Sequence, residues 1–205
     1  MKNKLNTALA ALFLTTASMT VMATESSEGY VGISFGKVNS DTGITNLTGT
    51  ASLDESDNAY KVFMGMNINE NFSIEGHYSD GGEISLSGNT GDRFTDEGTV
   101  YEFLVDGVTV KAELDSIGVS GLYKFAVSDS ITPFVKLGLH RWDEKVTVSA
   151  GTVSGSAEDD GTDAFYGLGA SAAISDKMDF RVEFERFKTD NGDFDYASAG
   201  IAYNF

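Results

Sequence analysis

The chain has 205 residues, with 31 Asp and Glu against 14 Lys and Arg, 23 glycines, one proline and no cysteine. A chain this acidic lacks the basic surface that neutralises phosphates, so its composition excludes nucleic acid as a partner. Without cysteine there is neither a disulfide framework nor thiol chemistry, and the scarcity of proline favours an extensive sheet over a disordered chain.

The first 23 residues have the pattern of a cleaved signal peptide. Lys2 and Lys4 precede an apolar segment over 7–14, and Val21-Met22-Ala23 forms a small-residue cleavage site. The apolar segment is too short to span a bilayer. Cleavage after Ala23 would leave one domain, residues 24–205, with 12 basic and 31 acidic residues and a net charge of −19. We therefore predict that the protein is exported.

After this segment, hydrophobic residues come in short alternating pieces, and no apolar run reaches 18 residues. Such pieces can cross a bilayer only as strands of a closed barrel. Three short polar turns lie at 68–72, 127–131 and 174–178, and four longer polar stretches lie at 39–57, 80–115, 143–163 and 188–195. Three turns and four loops connect eight strands and place both chain ends at the short-turn end. The sequence thus predicts an all-β fold: an eight-stranded antiparallel transmembrane up-and-down β-barrel.

A ten-stranded barrel is the alternative count. Asp106-Gly107 lies between alternating runs over 100–105 and 108–114, which is a strong hairpin signal. We interpret this hairpin as an extension of the sheet above the membrane that runs down into the fourth strand.

Alternation gives each predicted strand two different sides. The side carrying residues such as Val62, Leu137, Val182 and Ile201 is uncharged and is expected to face lipid. The other side is polar or small. Its charged members are Lys61, Lys124, Lys136 and Arg181 against Glu75, Glu183 and Glu185. Because buried ions need partners, we predict a lumen ion network centred on Glu75, Lys136 and Arg181, with glycines making room for the long charged side chains.

Five segments, taken in order, resemble the OmpA-like transmembrane β-barrels, the small outer-membrane proteins often labelled porin family. They are Gly29-Tyr30-Val31-Gly32, Ile74-Glu75-Gly76-His77-Tyr78, the run from Lys136 to Trp142, the run from Arg181 to Phe187, and the closing Gly200-Ile201-Ala202-Tyr203-Asn204-Phe205. The resemblance covers residues 24–205.

This resemblance implies insertion by the barrel assembly machinery, which recognises the terminal strand through Tyr203 and Phe205. It also implies a lumen ion network onto which Glu75, Lys136, Arg181 and Glu183 map. Two positions depart from the family pattern, because Ser120 and Ser171 stand where related barrels place a Lys and a Glu. Gating ascribed to that ion set is therefore not carried over. We also do not expect a peptidoglycan-binding domain, since the sequence shows none after the closing strand.

Candidate chemistry is sparse. Counted from their turns, His77 and His140 should differ in height by about 10 Å, so we do not expect them to share a site. His140 with Asp143 and Ser149 could form a hydrolase or acyltransferase constellation, but no motif supports it. The acidic run over 158–163 could bind a hard cation such as Ca²⁺, although it lacks a distal bidentate Glu and is better interpreted as a solvated loop.

At the outer rim, Lys37, Arg141 and Arg186 could pair with lipopolysaccharide phosphates or could be ordinary rim charges, and the sequence leaves both interpretations open.

The sequence predicts a non-enzymatic protein of the Gram-negative outer membrane, with no catalytic residue, no metal and no cofactor. We expect a structural or surface-interaction role, with acidic extracellular loops and a narrow polar lumen. The expected partners are outer-membrane lipids and lipopolysaccharide and the barrel assembly machinery, and the expected state is a monomer. The alternatives are a small-solute pore, a barrel enzyme acting on outer-membrane lipid, and a soluble periplasmic lipocalin-like binder.

Overall fold

The computed structural model describes residues 28–125, 131–190 and 192–205. The strands in these ranges are β1 (Gly29–Asp41), β2 (Ser52–Asp54), β3 (Ser56–Asn67), β4 (Phe72–Gly88), β5 (Arg93–Asp96), β6 (Thr99–Glu102), β7 (Val108–Lys124), β8 (Ile131–Ala150), β9 (Val153–Ser175), β10 (Met178–Thr189) and β11 (Gly192–Asn204). None of the described residues belongs to a helix with the length and apolarity that a membrane crossing requires.

Eight of these strands close an antiparallel barrel. Strand β1 pairs with β3 on one side and with β11 on the other, so that Ile33 faces both Val62 and Ile201. The order continues through β4, β7, β8, β9 and β10, and the pairing of β4 with β7 closes the ring. The predicted eight-stranded barrel is confirmed, and the ten-stranded alternative is wrong.

Alternation along each strand separates two environments. Outward side chains at membrane level are apolar, and the side chains of Leu137 and Leu168 are 67% and 60% exposed. Lys136, which precedes Leu137 and points inward, is only 3% exposed, and Glu75 is fully buried. We call the outward surface over 31–35, 60–68, 72–78, 117–125, 131–139, 166–174, 180–184 and 197–205 the apolar band. A lipocalin-like binder would need the reverse orientation, so that alternative is wrong.

One end of the barrel carries the short turns and both described chain ends. In the first turn, Asn69 Oδ1 accepts hydrogen bonds from the N–H groups of Asn71 and Phe72, both at 2.9 Å. The backbones of Gly29 and Phe205 exchange hydrogen bonds of 3.1 and 2.9 Å. The predicted turn over 127–131, except Ile131, and the predicted signal peptide over 1–23 lie outside the described residues.

Four strands continue well above the apolar band, at the end opposite the short turns, and form a sheet that we call the upper sheet. Strand β7 stays paired with β4 as far as Gly88↔Val108, and β8 stays paired with β9 as far as Ala150↔Val153. The prediction of long loops over 80–115 and 143–163 is therefore wrong in local structure. These polar segments still alternate Val and Thr with charged residues, which suits a strand wetted on both faces. Gly151, at φ +60°, allows the tight turn between β8 and β9.

The region around Asp106-Gly107 forms a different hairpin from the one predicted. Residues 108–114 do begin β7, but β6 pairs with β5, from Arg93↔Glu102 to Asp96↔Thr99. Glu97 and Gly98, both at positive φ, make the turn between β5 and β6.

Glycines on the inward side make room chiefly for aromatic rings. A Cβ on Gly32 would lie 2.3 Å from the Phe63 ring, and one on Gly138 would lie 2.4 Å from the Phe165 ring. The prediction that the glycines accommodate long charged side chains is therefore wrong in most cases, because the interior is filled by rings as well as ions. Gly169 and Gly161 face Phe134 and Trp142 in the same way, while Gly167 faces Glu185.

Candidate functional site

The middle of the lumen holds a cluster of six ionised side chains. Lys61 comes from β3, Glu75 from β4, Lys136 from β8, and the remaining three from alternate positions of β10. Alternation in β10 brings its three residues to one face, since positions i, i+2 and i+4 of a strand point the same way. All six are buried, and we call them the ion cluster: Lys61, Glu75, Lys136, Arg181, Glu183 and Glu185.

The ion cluster is connected throughout by short contacts. Lys136 Nζ lies 2.8 Å from Glu75, 2.7 Å from Glu183 and 2.8 Å from Glu185. Arg181 Nη1 lies 2.6 Å from Glu75, and Arg181 Nε also contacts Glu183. Lys61 Nζ lies 2.8 Å from Glu183 and also contacts Glu185. Three cations therefore neutralise three carboxylates.

The structure thus brings together the four residues expected to form a lumen network, Glu75, Lys136, Arg181 and Glu183. It separates Lys124 from them, because Lys124 Nζ bonds Asn67 Oδ1 at 2.6 Å near the short-turn end. The sequence count of four cations against three carboxylates is corrected to three against three. Sequence reasoning placed Lys61 and Glu185 on the inward side but did not assign them to the network.

Aromatic side chains frame the ion cluster, and sequence reasoning missed them. The Arg181 guanidinium lies 4.5 Å from the ring centroids of both Phe63 and Phe134. The Tyr30 hydroxyl donates to Glu75 Oε2 at 3.0 Å. The inward parity of Phe63 and Phe134, opposite Gly32 and Gly169, is the sequence signal that could have identified them.

Two serines stand where the family pattern has charged residues. Ser120 donates a long hydrogen bond of 3.4 Å to the Glu75 carbonyl, and Ser171 lines a small cavity of about 40 Å³ beside Arg181.

Above the ion cluster, an aromatic layer fills the lumen. The rings of Phe165 and Phe187 stack at 4.9 Å, and Trp142 and Tyr196 are almost completely buried nearby. Trp142 Nε1 donates to Asp163 Oδ2 at 2.8 Å. The lumen is therefore polar at its centre and apolar toward the end opposite the short turns.

Both histidines belong to this layer, so the prediction that they do not share a site is wrong. His77 and His140 pair with the same residue, Gly118, and their rings lie 4.9 Å and 5.8 Å from the Phe165 ring. The estimate of a 10 Å difference in height between the two histidines assumed that β4 and β8 start at the same level in the barrel. In the register, Phe72 of β4 is level with Val135, four residues above the start of β8.

The imagined hydrolase constellation is not assembled. His140 Nδ1 bonds the Ser116 hydroxyl at 2.9 Å, and its Nε2 bonds the Lys188 carbonyl at 2.8 Å. Asp143 has the opposite parity on β8 and is exposed. Ser149 lies nine residues along the strand, which corresponds to about 30 Å.

The segments above the apolar band carry most of the acidic charge. The ranges 39–58, 80–116, 141–164 and 186–196 contain 22 acidic and six basic residues. One cleft of about 200 Å³ in the upper sheet is lined by Glu113, Asp115, Asp143, Glu144, Lys145, Glu158, Asp159 and Asp160. In the described part of the chain, no three His, Asp or Glu side chains are grouped closely enough to hold a metal ion.

Two of the three rim cations are already paired within the chain. Arg141 Nη2 lies 2.8 Å from Asp160, and Arg186 donates two 2.6 Å hydrogen bonds to Asp195, which lower the pKa of that carboxyl. Lys37 is exposed on the outer side just above the apolar band.

A second ordered feature lies above the barrel, where Asp92 anchors the β5–β6 hairpin. Its carboxylate accepts hydrogen bonds from the Thr50 hydroxyl (2.6 Å), the Thr50 N–H (3.1 Å) and the Asn89 N–H (2.9 Å). These bonds lower the pKa of Asp92, with the Thr50 hydroxyl as the largest cause. Asp106 is held in the same way by the Thr90 N–H at 3.0 Å.

Comparison with known proteins agrees with this architecture. The sequence matches the family model described as outer membrane protein beta-barrel domain over residues 8–205. No curated protein matches the sequence.

Three solved structures illustrate the likeness of fold. Ail, the attachment invasion locus protein of Yersinia pestis, superposes with a TM-score of 0.57 at 14% identity, over 88% of this chain and 100% of that one. The N-terminal β-barrel domain of Pseudomonas aeruginosa OprF gives 0.51 at 14% identity, over 86% and 97%. Neisserial surface protein A gives 0.51 at 17% identity, also over 86% and 97%. At these identities, the likeness concerns the fold alone.

Proposed function

Because the chain belongs to the family of outer membrane protein β-barrel domains, we propose that it is a non-enzymatic anchor in the Gram-negative outer membrane. Its barrel would fix the protein in the bilayer, and its acidic upper sheet would bind partners outside the cell. The sequence predicted a likeness to OmpA-like barrels, and the family match confirms it. We extend that likeness from fold to function.

A filled lumen beneath an acidic sheet is the observation that carries this proposal. The ion cluster blocks the centre of the barrel, and the stacked Phe165 and Phe187 rings lie above it. An eight-stranded barrel is just wide enough for side chains to fill, so this interior favours an anchor over a small-solute pore. It leaves the surface above the apolar band as the part that can meet other molecules.

Charge favours a cationic partner for that surface. With 22 acidic against six basic residues in the segments above the apolar band, the sheet repels other acidic surfaces and attracts basic ones. A non-enzymatic role is supported by the burial of His140 and of Ser116, the hydroxyl that it contacts, because at 1% and 5% exposure the pair is out of reach of a substrate.

The remaining sequence predictions belong to the same proposal. Residues 1–23 would direct export, and Tyr203 and Phe205 would serve as the insertion signal read by the barrel assembly machinery. The apolar band would contact outer-membrane lipids, and Lys37 would contribute to lipopolysaccharide contact. We propose a monomer, because the ring closes within one chain.

An epitope tag inserted after Thr152, in the β8–β9 turn, tests the orientation of the anchor. We expect an antibody to label the tag on intact cells, and we expect the protein to fractionate with the outer membrane and to migrate differently before and after heating in detergent gels. The purified barrel should give no steady conductance in planar bilayers. A tag detected only after permeabilisation, or regular channel steps that Lys136→Met alters, would contradict the proposal.

A further inference from the structure

Among the described residues, the β5–β6 hairpin has one edge that no strand pairs with, and this edge lies above the apolar band. Its other edge is taken by the segment around Thr45: the backbones of Thr45 and Thr95 exchange hydrogen bonds of 2.8 and 2.7 Å, and the Thr48 N–H donates to the Arg93 carbonyl at 2.9 Å. Strand β5 is therefore central, and β6 is the outer strand.

The register identifies which backbone groups face outward. In an antiparallel pair, successive residues of a strand direct their N–H and C=O groups to opposite sides. Thr95 and Arg93 direct theirs toward the Thr45 segment, so their partners on β6, Val100 and Glu102, direct theirs away from β5. In the described part of the chain, no strand pairs with this side of β6.

The side chains along this edge are also exposed. The exposed fractions are 64% for Val100 and 47% for Tyr101, and just beyond the strand Leu104 is 80% exposed. Natural edge strands are usually protected by lysine, proline or a bulge. Strand β6, Thr99-Val100-Tyr101-Glu102, is short and carries one charge, but it has no lysine, proline or bulge, and three of its four residues have high β-propensity.

A second free edge shows what a protected strand looks like in the same protein. Strand β9 pairs with β10 only as far as Phe165, so its upper part over 153–164 pairs on one side only. That part carries Glu158, Asp159 and Asp160 in succession, with Gly155 and Gly161 on either side. Charge and glycine both disfavour strand addition there, whereas β6 has no glycine and a single charged residue, Glu102, which is paired with Arg93.

The hairpin is held in place before any partner arrives. Asp92 ties its base to Thr50 and Asn89, and the Phe103 ring packs against Gly88. The Phe103 backbone also exchanges hydrogen bonds of 2.9 Å with Gly91 and Asp92. A preformed edge binds with less loss of conformational entropy than a disordered segment.

Resting on the proposed surface-binding function, we propose that β6 binds an extended lysine- or arginine-containing segment of a partner protein as an added strand. Backbone hydrogen bonds to Val100 and Glu102 supply the affinity, as in other cases of strand addition. Local charge selects the partner, because Asp96, Glu97 and Asp106 flank the edge while its nearest cation, Arg93, is paired with Glu102 at 2.7 Å. A second copy of this acidic chain would instead meet like charge.

The test uses a nine-residue peptide of alternating lysine and valine, acetylated and amidated at its ends, titrated into the folded barrel in detergent and followed by calorimetry and NMR. The matched control is the same peptide N-methylated at every residue, which keeps charge and side chains but has no backbone N–H left to donate along either edge. We expect the control to bind about tenfold more weakly or worse, because at least two backbone hydrogen bonds are lost. Equal binding of the two peptides, or no binding of either, would overturn the inference.

Substitutions in the barrel locate the site. Val100→Pro removes an outward N–H that has no partner in the described part of the chain, and it leaves the hydrogen bonds of Tyr101 and Thr99 to β5 intact. The residue before a proline must be extended, and Thr99 already is. We expect it to weaken peptide binding about tenfold, whereas Val100→Thr, which keeps the N–H, should stay within about twofold. If NMR shows the hairpin intact and Val100→Pro still binds like the wild type, the site is not β6.

Two further outcomes separate this inference from the proposed function. If both peptides bind equally and added salt abolishes binding, the acidic sheet still attracts cations while the edge plays no part. A dimer that Val100→Pro dissociates would make a second copy the occupant and would also overturn the inference. Neither outcome affects the surface exposure of a tag after Thr152.

Discussion

Replacing Lys136 with methionine should destabilise the barrel more than any surface charge change. Its Nζ lies 2.7–2.8 Å from three buried carboxylates, so the substitution leaves Lys61 and Arg181 to balance Glu75, Glu183 and Glu185. Removing one partner of a buried ion pair costs about 3–5 kcal/mol, because a charge remains without compensation. We expect the free energy of unfolding to fall by this amount.

The double variant Lys136→Met/Glu185→Gln tests whether charge balance is the cause. It leaves two cations and two carboxylates, with Lys61 still 2.8 Å from Glu183 and Arg181 still 2.6 Å from Glu75. We expect the second substitution to recover about 2 kcal/mol of the loss, since contacting residues in one network are strongly coupled. Lys111→Met, which breaks an exposed pair with Glu83, is the control and should leave stability within experimental error.

Urea unfolding in phospholipid vesicles provides the assay. The chain has a single tryptophan, Trp142, which is fully buried in the aromatic layer and should change its fluorescence on unfolding. A loss below about 1 kcal/mol for Lys136→Met, or a double variant no more stable than the single one, would refute the role assigned to the ion cluster.

Three further predictions test other parts of the structure. Gly138→Ala should cost about 1–3 kcal/mol by overpacking against Phe165, whereas Gly121→Ala, whose Cβ would meet nothing within 4 Å, should be neutral in the same urea assay. Leu137→Arg should cost about 2–4 kcal/mol in vesicles if this side chain lies near the bilayer midplane, and an unchanged midpoint would argue against lipid contact. Because hydrogen bonds lower the pKa of Asp92, its stabilisation of the hairpin is present above the unfolded-state pKa and is lost as the pH falls through the folded one, so NMR should show residues 89–106 loosening only in acid. Asp92→Ala should loosen them already at neutral pH, seen as faster tryptic cleavage after Arg93.

Alternation predicted the barrel because the two sides of each strand meet different solvents. Lys136 and Leu137 are neighbours in sequence, yet one is buried among carboxylates and the other is exposed on the apolar band. Parity therefore placed the charged lumen residues correctly without any knowledge of register. Reading polarity alone missed Phe63 and Phe134, because aromatic rings share the inward side with ions, here opposite Gly32 and Gly169.

Features that depend on stagger between strands could not be predicted from single segments. His77 and His140 meet in one layer because β8 starts four residues below the level of β4. The β5–β6 pairing competes with the Asp106-Gly107 turn signal and prevails because Asp92 and Phe103 fix the hairpin through contacts distant in sequence, such as those to Thr50 and Gly88. The strands above the apolar band are as polar as loops. Composition alone therefore could not show that β7 pairs with β4 there and β8 with β9.

The absence of native cysteine allows the central claim to be tested with single spin labels, at Leu137→Cys on the apolar band and at Thr152→Cys in the β8–β9 turn. Their accessibility to oxygen, which concentrates in lipid, and to a water-soluble nickel chelate should be measured in phospholipid vesicles. The structure predicts that the label at 137 responds to oxygen and is shielded from nickel, while the label at 152 shows the reverse. A label at 137 that is as accessible to nickel as the label at 152 would contradict the orientation of the barrel on which the proposed function depends.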